Sequence, residues 1–212
     1  EIVLPSSFGR TDFAGQRRRL AANASGTGRE GLAGPWTSRR AAPRGLKRRV
    51  VINDASILID LNKRGLLGAL TSLPMRLWIP DLIWSSELLS ISEETKAVLV
   101  SGFEVVELDG FQVRHAQDLM SADLRLSFAD CSALALAVAT PNCVLLCSDR
   151  LMRTTAQGLR VKVHGIFWLF DQLAEHRVVG RQQIHAALLA IQADPTTRLP
   201  RDVLSEYMSK YR

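Results

Sequence analysis

Between Asp130 and Asp149 the chain runs through eighteen residues without a single charge, Cys131 to Ser148. Pro141-Asn142 divides this stretch into two unlike halves. The first half opens on Ser127, whose hydroxyl can accept from a free backbone N–H of a helix's first turn. Asp130 then falls in that turn, where a negative charge favours the helix dipole. Ala133 to Ala139 alternates Ala and Leu and has the volume pattern of a buried helix. The second half, Val144-Leu145-Leu146-Cys147, is a short continuous apolar run and fits a strand buried on both faces. Asp149 follows at the strand's carboxyl end, the edge of a parallel sheet where ligands bind. An acid at a helix start and an acid at a strand end are thus placed to face one pocket. Eighteen uncharged residues are long enough to raise a membrane span, but the proline break and the strand-like second half exclude one.

The rest of the chain alternates in the same way. Strands are expected at Arg49–Ile52, Leu77–Ile79, Glu104–Leu108 and Val161–Val163. Helices are expected at Ile57–Asn62 with Ser56 as cap, Leu66–Leu70, Asp81–Leu89, Ser92–Ser101, Phe111–Met120, Ser127–Thr140 and Arg150–Gln157. Gly165–Glu175, Arg181–Gln192 and Pro200–Tyr211 complete the pattern as helices. This alternation predicts a parallel α/β sheet of about five short strands.

The net charge of +6 misleads. Residues 1–49 hold 11 Lys/Arg against 3 Asp/Glu, a net of +8, whereas residues 50–212 hold 16 against 18, a net of −2. The basic character belongs to a Gly/Arg-rich segment over 1–46, expected to be disordered, and the domain proper runs over 47–212, with C-terminal helices from about 180. A basic arm for RNA or DNA, a transit-like segment and upstream sequence outside the working protein all fit that composition; the last is the expected one. The three cysteines all sit in the apolar stretch and read as reduced core residues, which implies a cytoplasmic protein.

Four acids recur at matched places. Asp54 ends the first strand, Glu87 lies inside the helix after the second, Asp130 opens the central helix and Asp149 ends the fourth strand. Each also has a plain structural reading: Asp54 as a helix cap, Asp130 as a dipole-matched acid, Glu87 as a solvated helix residue, Asp149 as a turn residue. Together they point further. Carboxylates in one pocket repel one another, and burial aggravates it. A divalent cation relieves that repulsion, and oxygen ligands with retained waters suit Mg²⁺ or Mn²⁺. One or two such ions activate water for attack on a phosphodiester.

The stretches VVINDASILIDL, WIPDLIWSSELL, LSFADCSALALA and LLCSDRLMRTTAQGLRV resemble a PIN domain over about Arg48 to Gly165. The remainder, GIFWLFDQLAEHRVVG with the LPRDVLSEYM helix, is similar to an uncharacterised prokaryotic PIN-like subfamily. The resemblance implies a three-layer α/β/α fold around the parallel sheet. It implies a metal-dependent ribonuclease, many members being toxins of toxin–antitoxin pairs. It assigns Asp54, Glu87, Asp130 and Asp149 as the catalytic, metal-binding acids, with Ser56 and Ser148 as hydroxyls supporting them. The family often has a second acidic or amide residue beside the strand-end acid; here Ser148 stands there. A Mg²⁺ or Mn²⁺ cofactor, an RNA substrate, a cognate antitoxin and a homodimer follow as expectations, and no membrane partner.

Arg150 and Arg153 follow Asp149 and are candidates for substrate phosphate contacts, with a solvated helix face as the plain reading. Asp60 reads as a helix-face acid. His115, His164, His176 and His185 show no ligand spacing. Trp78, Trp84 and Trp168 read as core or interface anchors and not as base-stacking platforms. A non-catalytic PIN-like binding module is the competing reading. Aspartate phosphotransfer fits worse: Ser56 stands where a dehalogenase-type phosphatase needs a second Asp, and Lys162 is only a loose match for a receiver domain's lysine.

Overall fold

The computed structural model describes residues 49–212 except 89, 90 and 198. The reading of residues 1–46 as a disordered tail lies outside the described residues. Five strands, β1 (Val50–Asn53), β2 (Arg76–Pro80), β3 (Phe103–Val106), β4 (Val144–Leu146) and β5 (Lys162–His164), form one sheet. Every pairing is parallel and the order is β3-β2-β1-β4-β5. Helices cover both sides of the sheet, so the α/β/α expectation holds.

The helices are α1 (Ala55–Lys63), α2 (Leu67–Leu70), α3 (Asp81–Ser86), α4 (Glu93–Gly102), α5 (Gly110–Ala122), α6 (Phe128–Ala139), α7 (Arg150–Gly158), α8 (Ile166–Glu175), α9 (Arg181–Ala193) and α10 (Arg201–Tyr211). Val51, Ile52, Val144, Leu145 and Leu146 are fully buried, which is why the two central strands read as unbroken apolar runs. Helix α6 packs against β1, β2 and β4. Its Ala129, Ala133, Ala135 and Ala137 are all buried, and their small side chains let the helix lie close to the sheet. Cys131, Cys143 and Cys147 are buried and none forms a disulfide.

Three local expectations are corrected. The third strand covers Phe103–Val106, not Glu104–Leu108, because Phe103 enters the core opposite Leu77. Ser56 does not cap α1; Asp54 occupies the N-cap position and Ser56 is the helix's second residue. The helix after β2 stops at Ser86 and does not reach Leu89. There the backbone N–H groups of Glu87 and Leu88 both donate to Ile83 O, and the Ser86 hydroxyl donates to Leu82 O at 2.6 Å. Such bonds compete with the helical ladder, and the turn drives Leu88 into the core.

Asp171 in α8 fastens α10. It accepts from Tyr207 Oη at 2.7 Å, Tyr211 Oη at 2.6 Å and Lys210 Nζ at 2.6 Å. Phe167 of α8 meets the Tyr207 ring with centroids 4.6 Å apart. Burial raises the Asp171 carboxyl, but the Lys210, Tyr211 and Tyr207 donors outweigh it and hold the group below the usual carboxylate range. The carboxylate is part-exposed, so Asp171→Ala is expected to cost only about 1–2 kcal/mol, read as a lower melting temperature. A depressed carboxyl stabilises the fold above its unfolded pKa and loses that contribution as pH falls through the folded value. The difference between parent and variant should therefore shrink below about pH 4. An equal melting temperature for both proteins at pH 7 would show that the clamp carries no stability.

Candidate functional site

The order of strands sets the location. From β1 the chain steps outward to β2 and β3, then returns to place β4 on the other side of β1. Connections leaving β1 and β4 diverge, which makes their carboxyl ends the topological switch point, the place where open α/β sheets bind ligands. Val51 pairs with Val144, Ile52 with Leu145 and Asn53 with Leu146. The ladder continues one bond further, with the Asp54 N–H donating to Leu146 O at 3.0 Å.

Asp54 is therefore locked to the strand end and is only 5% exposed. Its side chain makes no cap bond to α1 although it stands at the N-cap. Ser56 Oγ donates to its Oδ2 at 2.5 Å. Burial raises the Asp54 carboxyl most; the Ser56 hydroxyl pulls it back, and the Asp130 charge raises it further, leaving it above the usual range.

Asp130 is half-buried in the first turn of α6 and completes a capping box. Its Oδ2 accepts from the Ser127 N–H and the Ser127 hydroxyl, both at 2.8 Å, and its own N–H donates to Ser127 Oγ at 3.0 Å. Asp149 caps α7, with Oδ1 accepting from the Met152 N–H at 2.8 Å, and is exposed. The second carboxylate oxygen of Asp130 and of Asp149 accepts no hydrogen bond from a described residue.

Glu87 is not inside a helix, as the sequence suggested. It is the C-cap of α3, placed there by the early turn described above, and it is exposed. Its carboxyl is raised by partial desolvation, then by the charges of Asp54 and Asp130, which are within electrostatic reach. Among the described residues no Lys, Arg or His forms an ion pair with Asp54, Glu87, Asp130 or Asp149. The donor set thus fits a hard divalent cation in kind: oxygen donors, mutual repulsion and no cationic partner. Among the described residues, no three His, Cys, Asp or Glu side chains converge closely enough to hold one ion as placed.

The sequence matches the family described as PIN domain over residues 50–212, more than half of the chain. The chain belongs to the PIN domain family. PIN domains are generally nucleases and typically use divalent metals. No curated protein matches the chain. No described helix is long and apolar enough to cross a membrane.

Within this PIN domain, two residues beside the acids were missed from the sequence. Asn53 is fully buried and its Nδ2 bridges Val51 O at 3.0 Å and Trp78 O at 3.1 Å, tying β1 to β2 just before Asp54. Its Oδ1 and the Ser148 Oγ are buried with no hydrogen-bond partner among the described residues. The only sequence signal for Asn53 was a polar residue ending an apolar strand. Cys147 is fully buried directly after β4. Burial pushes its thiol up, and the charges of Asp54, Asp149 and Asp130 all add to that rise. Arg153 is half-buried and donates from Nη1 to Cys147 O at 3.1 Å, while Arg150 is exposed.

A raised carboxyl favours the fold while protonated; that contribution is present below the unfolded pKa and is lost as pH rises through the folded one. Asp54→Asn mimics the protonated form at every pH. In EDTA the variant should melt a few degrees above the parent at pH 7, and the gap should close near pH 4. Thermal melts at the two pH values check this; a variant less stable than the parent at pH 7 contradicts it.

Proposed function

We propose that this PIN domain is a metal-dependent endoribonuclease that hydrolyses RNA phosphodiester bonds with Mg²⁺ or Mn²⁺. The observation that supports it is the electrostatic coupling of Asp54, Glu87 and Asp130 near the carboxyl ends of β1 and β4, with no cationic side chain among the described residues in an ion pair with them. These three, with Asp149 at the adjoining strand end, are the residues that would hold the ion. What a divalent cation supplies, when bound, is a more acidic water and a charge to offset the leaving oxygen. The chain's own part is orientation. Ser56 fixes one oxygen of Asp54, the capping box fixes one oxygen of Asp130, and the Met152 N–H fixes one oxygen of Asp149. Ser148, between Cys147 and Asp149, is the second supporting hydroxyl, and Arg150 and Arg153 are the phosphate contacts. The resemblance to PIN toxins supports a role as the toxin of a toxin–antitoxin pair, acting as a homodimer in the cytoplasm and held in check by an antitoxin covering the acids.

A second reading is a non-catalytic PIN-like binding module, favoured by the failure of any three acids among the described residues to converge. Cleavage of RNA by the full chain in Mg²⁺ or Mn²⁺ against EDTA separates the two. The nuclease reading expects metal-dependent cleavage that Asp130→Asn lowers about a hundredfold or more, since even groups supporting metal ligands are worth 10–100-fold. It also expects either metal to raise the parent's melting temperature, by mass action on the folded form, and to raise the variant's less. Cleavage by Asp130→Asn at the parental rate would refute the acid site.

A further inference from the structure

We propose that the edge of the sheet beside the acids is a single-stranded RNA subsite, in which the stacked His164 and Trp168 rings receive a base and Arg153 takes the adjoining phosphate. The proposal rests on the ribonuclease reading above and deepens it. His164 ends β5 and lies opposite Leu146 of β4. Trp168, in the first turn of α8, stacks on it with ring centroids 4.7 Å apart and planes 8° from parallel. Both residues are part-buried, so each keeps some solvent exposure at this edge.

Cys147 ties this aromatic pair to the acids. Its N–H donates to His164 O at 3.0 Å, its carbonyl accepts from Arg153, and its thiol feels Asp54, Asp149 and Asp130. The stack therefore stands one strand over from the acidic strand ends, a step of about 5 Å between neighbouring strands. Arg153 spends one N–H on the Cys147 carbonyl, and no other described partner engages its remaining donors. Its guanidinium passes so close to Gly165 that a Cβ there would stand 3.2 Å from Nη1.

Charge fits the same occupant. Residues 50–212 net −2, and the acids repel a polyanion, so a substrate strand needs a local cationic hold. Burial lowers the His164 imidazole, and the charges of Arg153, Lys162 and Arg49 lower it further, so three cations lie within electrostatic reach of the ring. Aromatic faces interleaved with cations are the pattern by which proteins grip single strands without reading sequence. Trp168 was expected to be a core or interface anchor, and it does pack against the core; it is only part-buried there, unlike its neighbours Leu169 and Phe170 at 0% exposure, and also carries the stack with His164.

The test uses the full chain in EDTA with a fluorescein-labelled ten-nucleotide oligouridine. By anisotropy, Trp168→Leu should bind about tenfold more weakly and Trp168→Phe should stay within about threefold of the parent. Arg153→Gln should weaken binding and reduce the salt slope by about one. The same oligonucleotide carrying 5-iodouridine should photocrosslink to Trp168 or His164. Parental affinity in a folded Trp168→Leu, or crosslinks confined to residues 1–46, would overturn the subsite. Cleavage in Mg²⁺ or Mn²⁺ is scored separately. Cleavage without a crosslink at the stack sinks the subsite and spares the nuclease; a crosslink without cleavage supports the subsite and sinks the nuclease.

Discussion

The parallel ladder between β1 and β4 is the constraint on which the rest depends. Three register pairs and one further bond, from the Asp54 N–H to Leu146 O, bring the ends of two strands from distant parts of the chain side by side. One strand end delivers Asp54 and the other delivers Cys147, Ser148 and Asp149. Helix α6 enters over the same edge with Asp130 in its first turn. A one-residue slip of this ladder would turn each strand's side chains to the opposite face and detach the acids from one another. Full burial of Val51, Ile52, Val144, Leu145 and Leu146 is what makes such a slip costly.

The acids carry two duties that are usually treated as rivals. Asp130 is both half of a capping box and an electrostatic neighbour of Asp54 and Glu87. Asp149 is both a helix cap and a charge felt by Cys147. A carboxylate has two oxygens, and capping occupies one. The helix ends thereby hold the Asp130 and Asp149 side chains in fixed orientations while leaving one oxygen of each without a hydrogen bond from a described residue.

Much of this was legible in the sequence, and the reasons are specific. The run Val144–Cys147 announced a strand buried on both faces, and Ser127 with Asp130 announced a helix start, because both signals are local. Asp54 stood out because it closes the first strand as Asp149 closes the fourth, and the structure places both at the carboxyl ends of adjacent parallel strands. Glu87 was misplaced in a helix because the stop at Ser86 comes from serine hydroxyls bonding back to Leu82 and from Leu88 turning into the core. Neither is visible as a glycine or proline. Asn53 and the His164–Trp168 stack escaped notice because each acts across strands: Asn53 reaches a carbonyl of β2, and the stack depends on β5 lying next to β4. Contacts of that kind exist only once topology is known.

The clamp at Asp171 has a consequence for biogenesis. All four acids and both serines beside them lie upstream of residue 150, whereas Tyr207, Lys210 and Tyr211 follow far later in the chain. Chains emerge from the ribosome N-terminal end first. The strands and the acids are therefore synthesised before the helix that the clamp holds, so a nascent chain passes through a stage in which all four acids have been made and the partners of Asp171 have not.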